Sequence, residues 1–193
     1  MIYKFIWGVI TVMYAPFFKK ISFPSHIGIP IFTKGLKRVT ISQRVRIMPG
    51  LRIETHKNGT IFFKEDISIG QNFHITSGGE LIIGGHTTIL GNVFITNIDH
   101  DYQELETHIL NQRMIIRETR IGENCFIGFG AAIQAGSILG NHCIVGTNSV
   151  VRGTFPDYCV IVGSPARIVK RYDADRMAWV RTNPDGSFLD LKE

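Results

Sequence analysis

Aliphatic residues recur at every sixth position over residues 121–151, and this spacing constrains the fold more than any other feature of the chain. The series consists of Ile121, Ile127, Ile133, Leu139, Val145 and Val151. A helix cannot keep a six-residue spacing on one face, whereas a short strand that ends in a tight turn can. Gly, Ala, Ser and Cys fill many of the intervening positions, which favours tight turns and close stacking. The spacing therefore predicts a repeat protein whose coils bury one continuous core.

Upstream, the same spacing continues with interruptions at regular places. The earlier inward positions form three trios, namely Ile41, Ile47, Ile53, then Phe63, Ile69, Ile75, then Ile83, Ile89, Ile95. Extra residues enter only between trios, so every insertion, including the long segment 97–118, falls at the same place in the repeat and lies along one edge of the stack. The whole series predicts about six coils, which begin near Ile41, Phe63, Ile83, Ile121, Leu139 and Ile161. Insertions in solenoids gather on the functional face, so we expect a site at this edge.

Segments outside the repeat are expected to cover the two open ends of the solenoid. Residues 1–38 are predicted to form an apolar and basic cap segment, in which the apolar run at 2–18 is either a capping helix or a membrane-surface anchor. Residues 39–170 would form the β-helix domain. Residues 171–193 are predicted to form a C-terminal helix and tail, with the helix at 173–180 anchored by Met177 and Trp179.

Positive charge is concentrated in the first 53 residues, which contain nine Lys or Arg and no Asp or Glu. A basic end can attract anionic lipid, a phosphate-bearing substrate or nucleic acid. No nucleic-acid-binding motif accompanies it, so we do not expect nucleic acid as a partner. Next to the apolar run, the charge suggests peripheral contact with the inner face of the cytoplasmic membrane.

The three cysteines occupy small inward positions of the repeat and form no CxxC pair; they are Cys125, Cys143 and Cys159. An odd number of cysteines without a secretory cleavage site predicts a reduced, cytoplasmic compartment.

His100 lies at the root of the long insertion, within the sequence Asn-Ile-Asp-His-Asp-Tyr at 97–102. A loop of this length in a compact repeat protein usually has a function. An imidazole titrates near neutrality and can take and return a proton at working pH. His100 is therefore the predicted catalytic residue.

Several motifs together resemble the hexapeptide-repeat O-acetyltransferases that modify sugars of bacterial surface polysaccharides. They are the repeat itself, DHD at 99–101, IGENCFIGFGAAI at 121–133 and IVGSPARIVKRY at 161–172. The resemblance implies an all-β fold, a left-handed parallel β-helix with short helical caps at both ends. It also implies a homotrimer that uses acetyl-CoA and a carbohydrate acceptor, with no metal.

In such enzymes a histidine at the position of His100 is a general base, and the acceptor hydroxyl attacks the thioester directly. The resemblance implies that Asn72 and Asp99 contact the acceptor, although Asn72 is equally well explained as a turn residue. It places the oxyanion and thioester channel at Phe126, Gly128 and Phe129, where Phe126 replaces a tryptophan common in the family. The implied coenzyme A site consists of Gly146, Thr147, Arg152, Arg167 and Lys170.

Three alternatives remain open at this stage. The acceptor could be another small hydroxyl or amine, or the protein could be a non-catalytic scaffold. A zinc enzyme on the same solenoid would need three converging histidines. His74, His86 and His142 fall at outward or turn positions of the repeat and show no such arrangement.

Overall fold

The computed structural model describes residues 2–189, with side chains from residue 5 onward. One helix, α1 (Ile2–Tyr14), is followed by short strands that run around a triangular coil. The first four coils consist of β1 (Lys20–Ile21), β2 (His26–Ile27), β3 (Phe32–Lys34), β4 (Val39–Ile41), β5 (Arg46–Ile47), β6 (Arg52–Thr55), β7 (Thr60–Phe63), β8 (Ser68–Ile69), β9 (His74–Ser77), β10 (Glu80–Ile83), β11 (Thr88–Ile89) and β12 (Phe94–Thr96).

After the fourth coil the chain leaves the solenoid and then returns to it. The excursion is a ribbon of β13 (Ile98–His100) and β14 (Met114–Ile116), with a 3₁₀ turn at Ile109–Asn111. The later coils consist of β15 (Thr119–Ile121), β16 (Phe126–Ile127), β17 (Ala132–Leu139), β18 (Ile144–Val145), β19 (Val150–Phe155) and β20 (Cys159–Gly163). The chain then forms β21 (Ala166–Asp173) and β22 (Ala178–Arg181).

Strands of successive coils pair in parallel, side on side. On the first side, Ile41 lies beside Phe63, and Ile83 lies beside Ile121. These apolar positions are buried in one cluster that runs along the whole stack. The predicted parallel solenoid, with its six-residue inward spacing, is therefore confirmed.

The stack has about seven turns, one more than the sequence predicted. The additional first coil is β1 to β3, which lies inside the predicted cap segment at 1–38. At the other end, the prediction that Ile161 begins a coil is wrong. Phe155 pairs with Leu139 on the first side, and Ile161 pairs with Val145 on the second. The coil here is shorter than expected because β19 continues around the corner from Val150 to Phe155.

Two corners are built from residues in the left-handed backbone conformation. The corner between the first and second sides carries Arg44, Asp66, His86, Asn124, His142 and Tyr158, all with φ between 55° and 60°. The corner between the second and third sides carries Gly50, Asn72, Asn92, Gly130 and Asn148, also with positive φ. Asn and Gly tolerate this conformation well, which explains their frequency at the second of these corners.

At the N-terminal end, α1 packs across the first coil, as predicted for a capping helix. Thr11 is buried, and its hydroxyl accepts a hydrogen bond from the backbone N–H of Ile27 at 2.8 Å. The opposite side of the helix is uncovered, since Phe5, Val12 and Met13 are 66–75% exposed. No helix among residues 2–189 is long and apolar enough to span a bilayer.

The predicted helix at 173–180 is wrong, because this segment is the turn and second strand of a hairpin. β21 pairs antiparallel with β20 and with β22, and the turn residue Met177 has φ 47°. Met177 is 79% exposed and anchors nothing, while Trp179 packs edge-on against Tyr172 at 5.8 Å. The backbone of β22 bonds to β21, which in turn bonds to β20 of the last coil, so the hairpin satisfies the hydrogen bonds of this segment.

Candidate active site

A cleft of about 480 Å³ runs along the third side of the solenoid, beneath the β13–β14 ribbon. Its floor is formed by outward residues of five successive coils, and its roof by the ribbon and its loop. The lining residues are Arg52, Glu54, His56, His74, Thr76, Phe94, Thr96, Ile98, Asp99, His100, Leu110, Met114, Gln134, Ala135 and Arg152. The volume lies in the range of small-molecule sites, and the cleft lies on the edge that the insertions marked.

The root of the ribbon is held by a buried asparagine that the sequence analysis did not single out. The Asn97 side-chain oxygen accepts the backbone N–H of Gly78 at 2.8 Å. Its amide nitrogen donates to the Ser77 hydroxyl and to the Glu80 carbonyl, each at 3.1 Å. Because Asn97 is fully buried and bonded to the third and fourth coils, it fixes where the ribbon leaves the solenoid.

His100 lies at the end of β13, opposite Met114, and its side chain lines the cleft. Its Nδ1 atom is buried and has no hydrogen-bond partner among the described residues. Burying a ring nitrogen without a hydrogen-bond partner costs free energy. His100 Nδ1 is therefore suited to form a hydrogen bond with a group from outside the described residues.

Asp99 faces arginines and not the imidazole of its neighbour. Its Oδ2 atom lies 3.1 Å from Arg152 Nη2 and 3.5 Å from Arg117 Nε. Arg152, expected from the resemblance at the coenzyme A phosphates, thus lines the cleft of His100 and ties the sixth coil to the ribbon. This ion pair is partly exposed, so it contributes more to position than to stability.

The lower end of the cleft holds a buried carboxylate. Glu54 is 8% exposed, and its Oε1 atom accepts a hydrogen bond from Arg52 Nε at 2.8 Å. Two histidines face the same carboxylate, with His56 Nε2 at 3.5 Å and His74 Nε2 at 3.9 Å. No local motif marks Arg52 and Glu54 as site residues, because they lie 46 or more residues before His100.

The charges of this group shift the pKa values in the cleft. Burial opposes ionisation of Glu54, but the hydrogen bond and charge of Arg52, helped by His56 and His74, lower its pKa overall. Burial and the Arg52 charge lower the pKa of His74, partly offset by Glu54. The Glu54 carboxylate is therefore ionised and the His74 imidazole neutral at pH 7.

Asn72 lies outside the cleft, at the corner between the second and third sides. Its backbone is left-handed, with φ 55°, and its amide nitrogen donates to Asn92 Oδ1 at 3.0 Å. These contacts account for the residue as a turn asparagine in a ladder of corner residues.

Phe126, Gly128 and Phe129 lie on the second side and its following corner, and none of them lines the cleft. Phe126 and Phe129 are 43% and 41% exposed. A Cβ atom on Gly128 would lie 2.6 Å from the Thr147 backbone nitrogen, so coil stacking itself requires glycine there. Within one chain, His100 and the Gly128–Phe129 turn occupy different edges of the triangle.

The remaining residues expected at coenzyme A also lie away from the cleft. Gly146 and Thr147 stack directly on the Gly128 turn, one coil further along. Arg167 and Lys170 lie on β21 with exposed side chains. The structure thus groups Gly128 with Gly146 and Thr147, whereas Arg152 lines the cleft and Arg167 and Lys170 do not.

Among the described residues, no three His, Cys, Asp or Glu side chains lie close enough to hold a metal ion.

Comparison with known proteins identifies the family of this chain. Residues 118–153 match the family described as bacterial transferase hexapeptide (six repeats). The chain is 30% identical over 160 residues to WbbJ of Escherichia coli (strain K12), whose name describes it as a lipopolysaccharide biosynthesis O-acetyl transferase. That match covers 79% of this chain and 82% of WbbJ.

Two further proteins are similar over much of the chain. A serine acetyltransferase of Staphylococcus xylosus is 31% identical over 79% of this chain and 64% of its own length. Among solved structures, a point mutant of AntD, an N-acyltransferase from Bacillus cereus in complex with dTDP and coenzyme A, superposes with a TM-score of 0.73. The match has 14% identity over 86% of this chain and 89% of AntD, so it shows that the two chains share a fold. From the repeat, the fold and the match to WbbJ, the chain belongs to the hexapeptide-repeat acetyltransferases.

Proposed function

We propose that the protein transfers an acetyl group from acetyl-CoA to a hydroxyl of a sugar in a bacterial surface polysaccharide precursor. The observation that carries the proposal is the cleft in which the ribbon presents His100 over the third side of the solenoid. WbbJ, named for lipopolysaccharide biosynthesis, supports a sugar acceptor. AntD, solved with coenzyme A, supports a coenzyme A thioester as donor.

In the proposed reaction His100 is the general base. Its imidazole takes the proton of the acceptor hydroxyl while the hydroxyl oxygen forms a bond to the thioester carbonyl carbon. The tetrahedral intermediate then expels the sulfur of coenzyme A, which takes the proton back from His100. A neutral imidazole suits both steps because it accepts and returns a proton near pH 7.

The donor side would come from a neighbouring copy. The intermediate needs a backbone N–H donor, and the Gly128–Phe129 turn, with Gly146 and Thr147 stacked on it, lies on another edge of the same chain. A cyclic trimer would bring this edge of one chain to the His100 edge of the next. Exposed apolar residues on the second side, Phe126, Ile144 and Val162, support such self-association.

We further propose that the enzyme works in the cytoplasm, at the inner surface of the membrane. The bare side of α1 exposes Phe5, Val12 and Met13, and the exposed Lys19 and Lys20 follow closely. Apolar side chains beside lysines suit an anionic lipid surface, where each cation contributes about 1 kcal/mol.

The test is acetyl transfer by the purified protein. It should release thiol from acetyl-CoA only when a sugar acceptor is present, and mass spectrometry should find one added acetyl group on the sugar. Sedimentation should show a species of three times the 21.7 kDa chain mass. A fully active monomer would contradict the shared site, and acetyl-CoA that is neither bound nor consumed would contradict the function.

A second candidate acceptor is a small hydroxyl compound such as serine, favoured by the similarity to the staphylococcal serine acetyltransferase. The same assay separates the two candidates, because serine would then be acetylated in preference to any sugar.

A further inference from the structure

The Arg52–Glu54 pair is a charged group that the proposed chemistry does not use. Both residues occupy outward positions of β6, in line with His74 and Thr76 of the next coil. Outward positions of a solenoid do not need a carboxylate for coil stacking. An ionised side chain that is 8% exposed costs desolvation energy and needs a reason.

This group belongs to a lower coil than the one from which the His100 ribbon leaves. The ribbon that carries His100 leaves the fourth coil and reaches Arg152 of the sixth, whereas Arg52 and Glu54 belong to the second. Two coil spacings of parallel strands separate the second and fourth coils by about 10 Å. One sugar ring with a hydroxyl at His100 does not extend that far, so the lower cleft can receive a different unit of the acceptor.

The chemistry of the lower cleft suits an uncharged, hydroxyl-rich ring. Glu54 can accept hydrogen bonds from hydroxyl groups, and the half-exposed Arg52 can donate to them. Phe94, whose ring lies 4.8 Å from that of His74, offers an apolar surface between the two ends. We propose that Arg52, Glu54 and Phe94 form a second sugar subsite, so that the acceptor is an oligosaccharide.

The charge of the group argues against a nucleotide-linked acceptor. A diphosphate placed here would meet the ionised Glu54, and Arg52 is already paired with that carboxylate at 2.8 Å. Like charges side by side repel each other, and the burial of Glu54 leaves its charge little screened by water. The subsite therefore selects a neutral sugar and disfavours the phosphates of a sugar nucleotide.

The experiment rests on the proposed function and measures acetyl transfer to a graded acceptor panel. The panel contains methyl glycosides of common bacterial hexoses and N-acetylhexosamines, their di- and trisaccharides, and the corresponding nucleotide sugars. For the wild type we expect kcat/KM at least about tenfold higher with the best disaccharide than with its monosaccharide, the gain from one or two added hydrogen bonds.

Arg52→Ala and Glu54→Gln should lower kcat/KM for the disaccharide, mainly through KM, by much more than for the monosaccharide, and so remove this gain. The control is Arg46→Ala, which breaks a similar surface pair with Asp66 at 3.1 Å on the second side of the same coil. It should keep the preference for the disaccharide. Circular dichroism and thermal melting would establish that each variant is folded.

The outcomes separate the subsite from the function. Equal rates on mono- and disaccharides, a preference for nucleotide sugars, or an equal loss on all acceptors in Arg52→Ala would overturn the second subsite while transfer to sugars stands. Absence of transfer to every sugar in the panel would contradict the proposed function itself.

Discussion

Arg152 Nη2 lies 3.1 Å from Asp99 Oδ2, and this contact joins the sixth coil to the strand that ends in His100. Asp99 also meets Arg117 Nε at 3.5 Å, so two cations hold the residue next to the proposed base. We therefore expect the Arg152–Asp99 pair to set the position of the His100 imidazole relative to the floor of the cleft.

We expect Asp99→Asn to lower kcat by about tenfold to a hundredfold, because a displacement of about 1 Å at a reacting group can cost that much. Arg152→Ala should have a similar effect on kcat. The Kd of the Arg152→Ala variant for coenzyme A, measured by calorimetry, tests whether Arg152 also binds the coenzyme, as the family resemblance implies. An unchanged Kd supports the contact with Asp99, and a Kd raised about tenfold would instead place Arg152 at the coenzyme.

Replacing the proposed base should abolish most of the chemistry. His100→Ala should lower kcat by about 10²–10⁴-fold, the usual contribution of a general base, without changing the affinity for coenzyme A. His142→Asn is the control, since His142 is an exposed corner residue with φ 55° that asparagine can adopt. Near-normal turnover by His100→Ala would remove this residue from the mechanism.

Gly128 is one of several glycines that the close stacking of the coils requires. A Cβ atom on Gly128 would lie 2.6 Å from Thr147 N and 2.7 Å from Val145 O, so Gly128→Ala should cost about 1–3 kcal/mol of unfolding free energy. Gly8 in α1 has nothing within 4 Å of an added Cβ, and Gly8→Ala should stabilise the helix by up to about 1 kcal/mol. Chemical denaturation measures both, and equal effects of the two substitutions would contradict the stacking argument.

Acidification should destabilise the protein through the lower cleft. The pKa values of Glu54 and His74 are both lowered in the folded state, so the unfolded chain binds more protons as the pH falls. The unfolded-state pKa values are 4.5 for Glu54 and 6.5 for His74. The stabilising contribution of each residue is present at pH values above its unfolded-state pKa and is lost as the pH falls below it. His74→Gln should flatten the decline in melting temperature just below pH 6.5. An unchanged pH profile in this variant would show that His74 does not contribute to the decline.

The bare side of α1 should bind anionic lipid. Full-length protein should float with phosphatidylglycerol vesicles at low salt and be released at high salt, because screening weakens contacts between lysines and headgroups. Val12→Glu should abolish flotation. Leu105→Glu, at a loop residue that is 94% exposed, should not. Removing α1 altogether is a poor test, since Thr11 accepts the Ile27 N–H of the first coil. If the wild-type protein stays at the bottom of the gradient, α1 does not bind lipid and serves only to cap the first coil.

The sequence predicts the middle of this fold well and its ends poorly, for a physical reason. Between Ile41 and Val151 each inward residue repeats the same environment, so spacing alone reveals the coils. In the first coil the inward position of the third side is Thr33 and not an aliphatic residue, so the six-residue aliphatic spacing cannot be recognised there. The segment around Trp179 has apolar residues that suit a helix, but it pairs as a strand with β21, which itself covers the edge of β20.

The candidate site was foreseen only where its residues are near in sequence. His100 and Asp99 lie at the root of the one long insertion, which marked them. Glu54 reaches the same cleft because the third side of every coil stacks on the one before. Nothing in the local sequence around Glu54 indicates that stacking buries it beside Arg52.

The hairpin at the C-terminal end has a consequence for how these molecules meet in solution. A parallel solenoid could in principle grow without limit, each molecule adding its first coil to the last coil of another. On the second side that edge is occupied, because β21 pairs antiparallel with β20 along Cys159–Gly163. At the opposite end, α1 lies across β2. The chain thus carries its own terminators, which oppose end-to-end polymerisation into fibres and leave the flanks of the prism for assembly.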